Sequence, residues 1–349
     1  KFLQNTYDAY IEIMQPSMRP VVILDEIQEI PKWEKFVRSL QEMNEARIIV
    51  TGSSSALMSG EFSTVLTGRT LEISMLPLSF KEMLDFYGME LSTPRDTILK
   101  KDEIIRNLRI YEEFGGCPEV VRETDDELKF AIIRMIYEDI LFKEIVKRWS
   151  IRKIDKLEFL GVYYLTNISS PITFSKISKF LKIPVKTVEN YSKYLEASNL
   201  IFFIKRFSFS LKEQENSPRK VYSIDTGLAN SAGFRFQVNH GKFIENTVAA
   251  QLLRKKLGNP LIDVDYWKDY QHREVDFVLK EGLKVKQLIQ VCYDIDDPDT
   301  KERELKAIEK ASKELECDNL LVITWDYEGE EEYKEKIIEY IPLWKWLLN

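Results

Sequence analysis

Two adjacent carboxylates, Asp25 and Glu26, follow the apolar run Val21-Val22-Ile23-Leu24. Acidic residues at the carboxyl end of a buried strand lie where open α/β sheets bind their ligands. One carboxylate there can hold a Mg2+ that bridges the β- and γ-phosphates of a nucleotide, while its neighbour orients and deprotonates the attacking water. The pair therefore points to ATP hydrolysis, with Asp25 as metal ligand and Glu26 as base; the plain alternative is that Asp25 caps the following turn. A second run, Arg47-Ile48-Ile49-Val50-Thr51, leads into Gly52-Ser53-Ser54-Ser55. A hydroxyl of Ser53 or Ser54, in preference to Thr51, suits sensing of the γ-phosphate or holding of the water. Arg69, after Gly68, is a candidate to stabilise transition-state charge from its own or a neighbouring subunit, so a homo-oligomer is one expected state. A surface ion pair is the alternative role.

A second group lies near the other end. Glu245 on a helix, Asp276 on a strand and a strand ending Gln290-Val291-Cys292 have the order of a metal-dependent nuclease core. In such a core the helix Glu, the strand Asp and a Glu-x-Lys pair bind Mg2+ and activate water. Here Gln290 stands where the metal-binding Glu belongs and Cys292 where the Lys belongs, so the site is expected to be degenerate and inactive. Glu274 is a substitute ligand if it shares a face with Asp276, which holds if no bulge intervenes. Retention of Glu245 and Asp276 for hydrogen bonding in the core is the structural alternative.

Between these groups the charge reverses. Residues 1–150 sum to −7, residues 151–212 to +7, and residues 213–349 to −7. A basic segment between two acidic ones fits contact with nucleic acid through the middle alone, or simply a solvated basic surface. Within it, residues 157–169, 172–183 and 184–201 read as three helices, the last two joined by a tight turn at Pro184. Ile177, Phe180, Leu181, Val188, Tyr191, Tyr194 and Leu195 form the inward face. The third helix presents Lys186, Thr187, Asn190 and Lys193 outward, beside Glu189, in a helix-turn-helix layout whose wing comes from LIFFIKRFSF and RKVYSID. A protein-contact module is the other use of that layout.

The elements that position these residues are legible in outline. Runs 21–27 and 47–51 are apolar on both faces, as in a buried parallel sheet, and 31–44 between them has helical spacing, giving a strand–helix–strand unit. A third strand is expected at 71–76, then mostly helix from about 98 to 168 with breaks at Gly115-Gly116-Cys117-Pro118 and near Ser150. The polar stretch 213–219 reads as a loop or hairpin tip. Beyond 240 come a helix (243–256), strands near 262–267, 275–280 and 285–292, a helix (300–315), a strand (319–325) and a terminal helix. The 349 residues are 44% hydrophobic and 31% charged, as in soluble globular proteins. No apolar run approaches the roughly 18 residues of a membrane span, so no membrane partner is expected. Three scattered cysteines and two histidines form neither a disulfide framework nor a zinc pattern, which fits a cytoplasmic protein.

The strings VVILDEIQEIPKWEKFVRSL and RIIVTGSSSALMSGEFSTVLTGRTLEISMLPLSFKEML resemble a family of archaeal and bacterial AAA+-type P-loop ATPases. FGGCPEVV (114–121) and EDILFKEIVKRW (138–149) resemble its helical lid and linker, GKFIENTVAAQLLR and REVDFVL its PD-(D/E)xK-type nuclease-like domain, and IPLWKWLL (341–348) its ending. The resemblance implies an α/β fold in four parts. These are a partial AAA+-type core (1–90), a helical lid and linker (91–150), a winged helix-turn-helix (151–235) and a degenerate restriction-nuclease-like α/β domain (236–349). It also implies ATP and Mg2+ as cofactors, nucleotide as ligand and DNA as a candidate partner. The family's G-x-x-x-x-G-K-[ST] loop has no counterpart, because no Gly-Lys-Ser or Gly-Lys-Thr occurs. Without that loop phosphate affinity is expected to be very poor, and the chain reads as a fragment or truncated gene product. A non-catalytic DNA-binding or regulatory adaptor and a weak Mg2+-dependent nuclease are the competing expectations.

Overall fold

The computed structural model describes residues 2–27, 30–52, 70–233, 239–295 and 297–349. It divides into two compact units, 1–75 and 76–349.

In the first unit, β1 (Val21–Leu24) and β2 (Arg47–Val50) pair in parallel, with Val21 opposite Arg47 and Leu24 opposite Val50. The helix Trp33–Glu42 makes the crossover. Its Trp33, Phe36, Val37 and Leu40 fall on one stripe and are buried with Tyr7 of the helix Phe2–Met14 and with Ile27. Val22, Leu24, Ile48 and Val50 pack on that core, whereas Val21, Ile23 and Ile49 on the other face are exposed. The expected two-sided burial is therefore one-sided here. The strand expected at 71–76 is absent: the backbone is irregular, and Leu71, Ile73 and Met75 are exposed. No described strand pairs with it, and β-propensity without a partner does not hold a strand.

The second unit begins with helices Phe80–Phe86, Pro94–Leu99 and Lys101–Phe114. The first is capped by Ser79, which accepts from Glu82 N while Glu82 returns a bond to Ser79 N. Gly115, at φ 78, ends the third. The helix Asp126–Asp139 continues as a π-helical turn, Ile140–Val146, into Lys147–Trp149, and stops at Ser150 in the left-handed region.

Next come helices Ile154–Thr166, Phe174–Leu181 and Val185–Ala197, with β3 (Ser170–Ile172), β4 (Ile201–Ile204) and β5 (Arg219–Ser223). The strands form an antiparallel sheet in the order β3-β5-β4. Phe180, expected on the inward face, is 64% exposed; Ile177 and Leu181, one turn apart, fill the core instead. Between β4 and β5, the expected loop contains the helix Leu211–Asn216, because the Ser210 hydroxyl accepts from Glu213 N and seeds a turn.

The rest is a six-stranded mixed sheet, β10-β11-β9-β8-β7-β6. Its strands are β6 (Ile262–Lys268), β7 (Glu274–Glu281), β8 (Lys284–Cys292), β9 (Leu320–Thr324), β10 (Gly329–Tyr333) and β11 (Lys336–Pro342). Period-two alternation divides its side chains between two cores. Tyr266, Phe277, Ile289 and Leu321 meet Ile244, Val248 and Leu252 of the helix His240–Gly258. Val278, Leu288 and Val322 meet Ile308 and Ala311 of the helix Pro298–Leu315.

The two sheets are stitched together by backbone. Past the end of β4, Lys205 O accepts from Tyr266 N at 2.9 Å and Phe207 N donates to Tyr266 O at 2.6 Å. The Arg206 guanidinium donates to Lys268 O, and the Tyr266 hydroxyl to Pro218 O. This chain segment covers the outer edge of β6, which otherwise would offer unpaired amides to other chains.

Candidate functional site

Asp25 and Glu26 follow β1 directly, and both are exposed. Thr51, the first residue after β2, donates its hydroxyl to Asp25 Oδ1 and accepts from Glu26 N at 3.2 Å. Ile27 N reaches Thr51 O at 3.4 Å, and Glu26 sits at φ 45. The parallel register thus brings the carboxylate pair and a hydroxyl to the same carboxyl edge. A carboxylate with a hydroxyl beside it is an oxygen donor set of the kind Mg2+ takes. Among the described residues, Thr51, ranked below Ser53 and Ser54 from sequence, has its hydroxyl in contact with Asp25. Ser53, Ser54 and Arg69 lie outside the described residues.

The second group converges on a lysine that sequence reasoning missed. Lys220, on β5, is 1% exposed. Its Nζ lies 2.9 Å from Glu245 Oε1, 2.7 Å from Glu274 Oε1 and 2.8 Å from Asp276 Oδ1. In β5 alternate residues face opposite ways: Val221 enters the core of the three-helix module, whereas Lys220 and Tyr222 point toward the large sheet. The Tyr222 hydroxyl donates to Glu245 at 2.7 Å. Tyr266 lies beneath the ammonium at 5.7 Å, and Lys268 meets Glu274 from the other side at 2.7 Å. Glu274 and Asp276 do share a face, since one Nζ reaches both.

Asp276 is fixed by β7–β8 pairing. Its N–H donates to Gln290 Oε1 at 3.2 Å, its Oδ2 accepts from Val291 N at 3.0 Å, and Gln290 Nε2 donates to Glu304 at 2.5 Å. Gln290 thus serves as a two-way hydrogen-bond spacer, a role that a second carboxylate could fill only if protonated. Cys292 stands apart from this network: its thiol donates to Asp294 O, and burial, then Glu304 and Asp294, push it up to about 11.

The electrostatics follow from burial. Burial first, then the charge of Asp276, raise the Glu245 carboxyl above its ordinary value. Burial works against the Lys220 ammonium, but Asp276 and Glu245 outweigh it and hold its pKa well above normal. Glu274, also opposed by burial, is held low by Lys220 and Lys268. The ammonium takes the central position that a divalent ion would need among the three carboxylates. Mg2+ therefore does not fit this site with Lys220 in place. Among the described residues, no group of three or more His, Cys, Asp or Glu side chains is arranged to hold a metal.

On the helix Val185–Ala197, Lys186 and Lys193 are exposed and Thr187 and Asn190 half-buried. Lys186 pairs with Glu189 at 3.2 Å. Thr187 lies in the first turn of this helix, its backbone N–H donating to Pro184 O. No helix among the described residues is long and apolar enough to cross a membrane.

A family model described as an AAA domain matches residues 1–84. Two models described as domains of unknown function, DUF8612 and DUF4143, match 105–238 and 240–346. Uncharacterized protein MJ1544 of Methanocaldococcus jannaschii is 36% identical over 339 residues, which cover 94% of this chain and 74% of that protein. An uncharacterized protein of Haemophilus influenzae is 28% identical over 296 residues, covering 83% of this chain and 70% of that one. Among solved structures, Thermococcus gammatolerans McrB AAA+ hexamers with bound McrC align over 92% of this chain and 94% of that one. The identity is 11% and the TM-score 0.29, too distant a likeness to bear on the fold.

Proposed function

The chain belongs to the family of the Methanocaldococcus jannaschii protein MJ1544, with an AAA domain at its N-terminal end, and from that premise we propose that it is an AAA+-type, ATP-driven switch. In this reading Asp25 holds Mg2+ and Glu26 is the base that activates water. Ser53 or Ser54 senses the γ-phosphate, and Arg69 assists from its own or a second copy of the chain. The observation that carries it is the carboxylate pair at the carboxyl edge of two parallel strands, with the Thr51 hydroxyl on Asp25.

The nucleotide state acts on three further parts: a lid and linker (91–150), a winged helix-turn-helix (151–235) that reads DNA through Lys186, Thr187, Asn190 and Lys193, and an inactive nuclease-like domain (236–349). The order helix, strand, two helices, hairpin, with strands paired β3-β5-β4, supports the winged-helix reading. The Lys220 ammonium among Glu245, Glu274 and Asp276 supports inactivity of the last domain. The unpaired thiols suit a cytoplasmic setting.

The test is ATP turnover by the whole gene product. Glu26→Gln is expected to lower turnover by about 10²–10⁴-fold, the usual range for a lost general base, while Mg2+–ATP binding persists. Turnover that survives the substitution overturns the assignment. A second reading, a non-catalytic DNA-binding or regulatory adaptor, is favoured by the buried Lys220 ammonium among Glu245, Glu274 and Asp276. A whole gene product that neither binds nor hydrolyses nucleotide selects that reading.

A further inference from the structure

The three-helix module carries a second feature that the proposed DNA-reading helix does not use. Phe159 and Tyr163, one turn apart on the helix Ile154–Thr166, meet Phe180 near the end of Phe174–Leu181. Ring centroids are 5.5 Å apart for Phe159–Phe180 and 6.5 Å for Tyr163–Phe180, with the planes tilted by 47° and 37°. Phe180 is 64% exposed and Phe159 42% exposed. Phe159 and Phe180 face water and, with Tyr163, which also packs against the module's core, form a three-ring patch on two helices, while Ile177, Leu181, Leu160 and Tyr164 fill the interior.

The frame around the patch is basic. Lys176 lies one helical turn before Phe180, on the same face, and Lys179 and Lys182 flank it. From Phe159 to Val188 the chain has four lysines, Lys176, Lys179, Lys182 and Lys186, and no Asp or Glu. Of these, Lys186 is the one paired with a carboxylate among the described residues. Elsewhere surface lysines are commonly tied to a neighbour, as Lys143 is to Asp139 and Lys306 to Glu302. Uncompensated positive charge around exposed aromatic rings is complementary to a polyanion that carries planar groups.

We propose that Phe159, Tyr163 and Phe180, framed by Lys176, Lys179 and Lys182, form a stacking platform for an unpaired stretch of nucleic acid. In a duplex the base faces are hidden against one another; in a single strand they are free to stack on rings while the phosphates meet the lysines. A second copy of this chain would bring the same positive frame against itself. An acidic protein would use the lysines but gain nothing specific from tilted rings. The platform is independent of the Asp25–Glu26 reading and of the Lys186–Lys193 surface.

The experiment is fluorescence anisotropy with a labelled oligo-dT and with a duplex of matched length, titrated against salt. Phe180→Ala and Phe159→Ala are surface changes, so both variants fold. Each is expected to weaken oligo-dT binding about 5- to 150-fold, the range that corresponds to roughly 1–3 kcal/mol per stacked base, with duplex binding unchanged. Lys176→Gln with Lys179→Gln lowers the salt slope for oligo-dT by about 1.4, from a slope near 0.7 per phosphate on single strands. Lys186→Gln with Lys193→Gln is expected to spare oligo-dT binding, so loss of duplex binding there tests the other surface separately. Unchanged oligo-dT affinity in the Phe159→Ala, Phe180→Ala double variant overturns the platform. So does undetectable oligo-dT binding at low salt, or equally effective displacement by polyglutamate. Wild-type self-association that Phe180→Ala abolishes identifies a second copy as occupant and also overturns it.

Discussion

Lys220 Nζ lies 2.8 Å from Asp276 Oδ1, and the two residues belong to strands of different sheets. Neither strand alone could keep its charge: a lone ammonium or carboxylate transferred into that interior is strongly disfavoured. Together with Glu245 and Glu274 they are tolerated because every charge has an opposite within hydrogen-bond reach. The pair therefore makes each sheet a condition for the other.

Lys220→Met is expected to cost about 3–5 kcal/mol or more, the range for removing one partner of a buried ion pair. Three carboxylates would then face one another without the central cation. Adding Glu245→Gln to Lys220→Met should recover part of the loss, since one of the repelling charges disappears. Urea denaturation of both variants measures this; equal stability of Lys220→Met and the parent contradicts the account.

Glu112, inside the helix Lys101–Phe114, is buried, and its Oε1 has no hydrogen-bond partner. Burial raises its carboxyl from 4.5 to about 8. The folded state thus holds this proton more tightly than the unfolded chain does. Its contribution to stability is full below pH 4.5 and is lost as pH rises through about 8. The total is on the order of 3–5 kcal/mol, since each tenfold gain in proton affinity corresponds to about 1.4 kcal/mol. Glu112→Gln keeps the shape and removes the proton equilibrium, so its stability should fall less between pH 5 and pH 9. Denaturation midpoints at the two pH values decide the point, and an identical pH slope in parent and variant refutes it.

Gly115→Ala strikes a different junction. The buried Asp225 accepts from Gly116 N at 2.7 Å and from Gly227 N at 2.8 Å, which ties the 115–118 break to the turn after β5. A Cβ on Gly115 would lie 1.8 Å from Asp225 Oδ1, at a φ of +78. Backbone strain of about 1–2 kcal/mol and displacement of a charged hydrogen bond worth about 1.5–3 kcal/mol predict a loss of about 2.5–5 kcal/mol. Gly258→Ala, where a Cβ meets nothing within 4 Å, is the control and should be near neutral. A thermal melt of both variants measures the contrast.

Local pattern explains what was legible in the sequence. The parallel strands around residues 21–27 and 47–51 and the helices of the basic module carry their own periodicity, whereas the contact of Asp25 with Thr51, ranked below Ser53 and Ser54 from sequence, depends on the register of the two strands. Glu245, Asp276 and Gln290 were legible as a group because their order along the chain, helix then strand then strand, is that of a metal-dependent nuclease core. Lys220 was not, because the strand holding it is separated from Glu245 and Asp276 in sequence and reads as a surface wing. Its burial depends on the large sheet lying against β5. The β10–β11 hairpin was also missed: Gly329–Tyr333 has three consecutive glutamates, which read as solvent-exposed chain, yet an edge strand needs only its inner neighbour. Phe180 illustrates the reverse error, where a large apolar residue at helical spacing is not thereby inside.

The stitched sheets and the Lys220 cluster bear on how such chains descend. The family models meet between residues 238 and 240, with Lys220 on one side and its three carboxylates on the other. A recombination that exchanged the C-terminal segment alone would pair a buried lysine with strangers, or leave three acids without their cation. Lineages should therefore pass the two segments on together, and any that lose the lysine should lose acids with it.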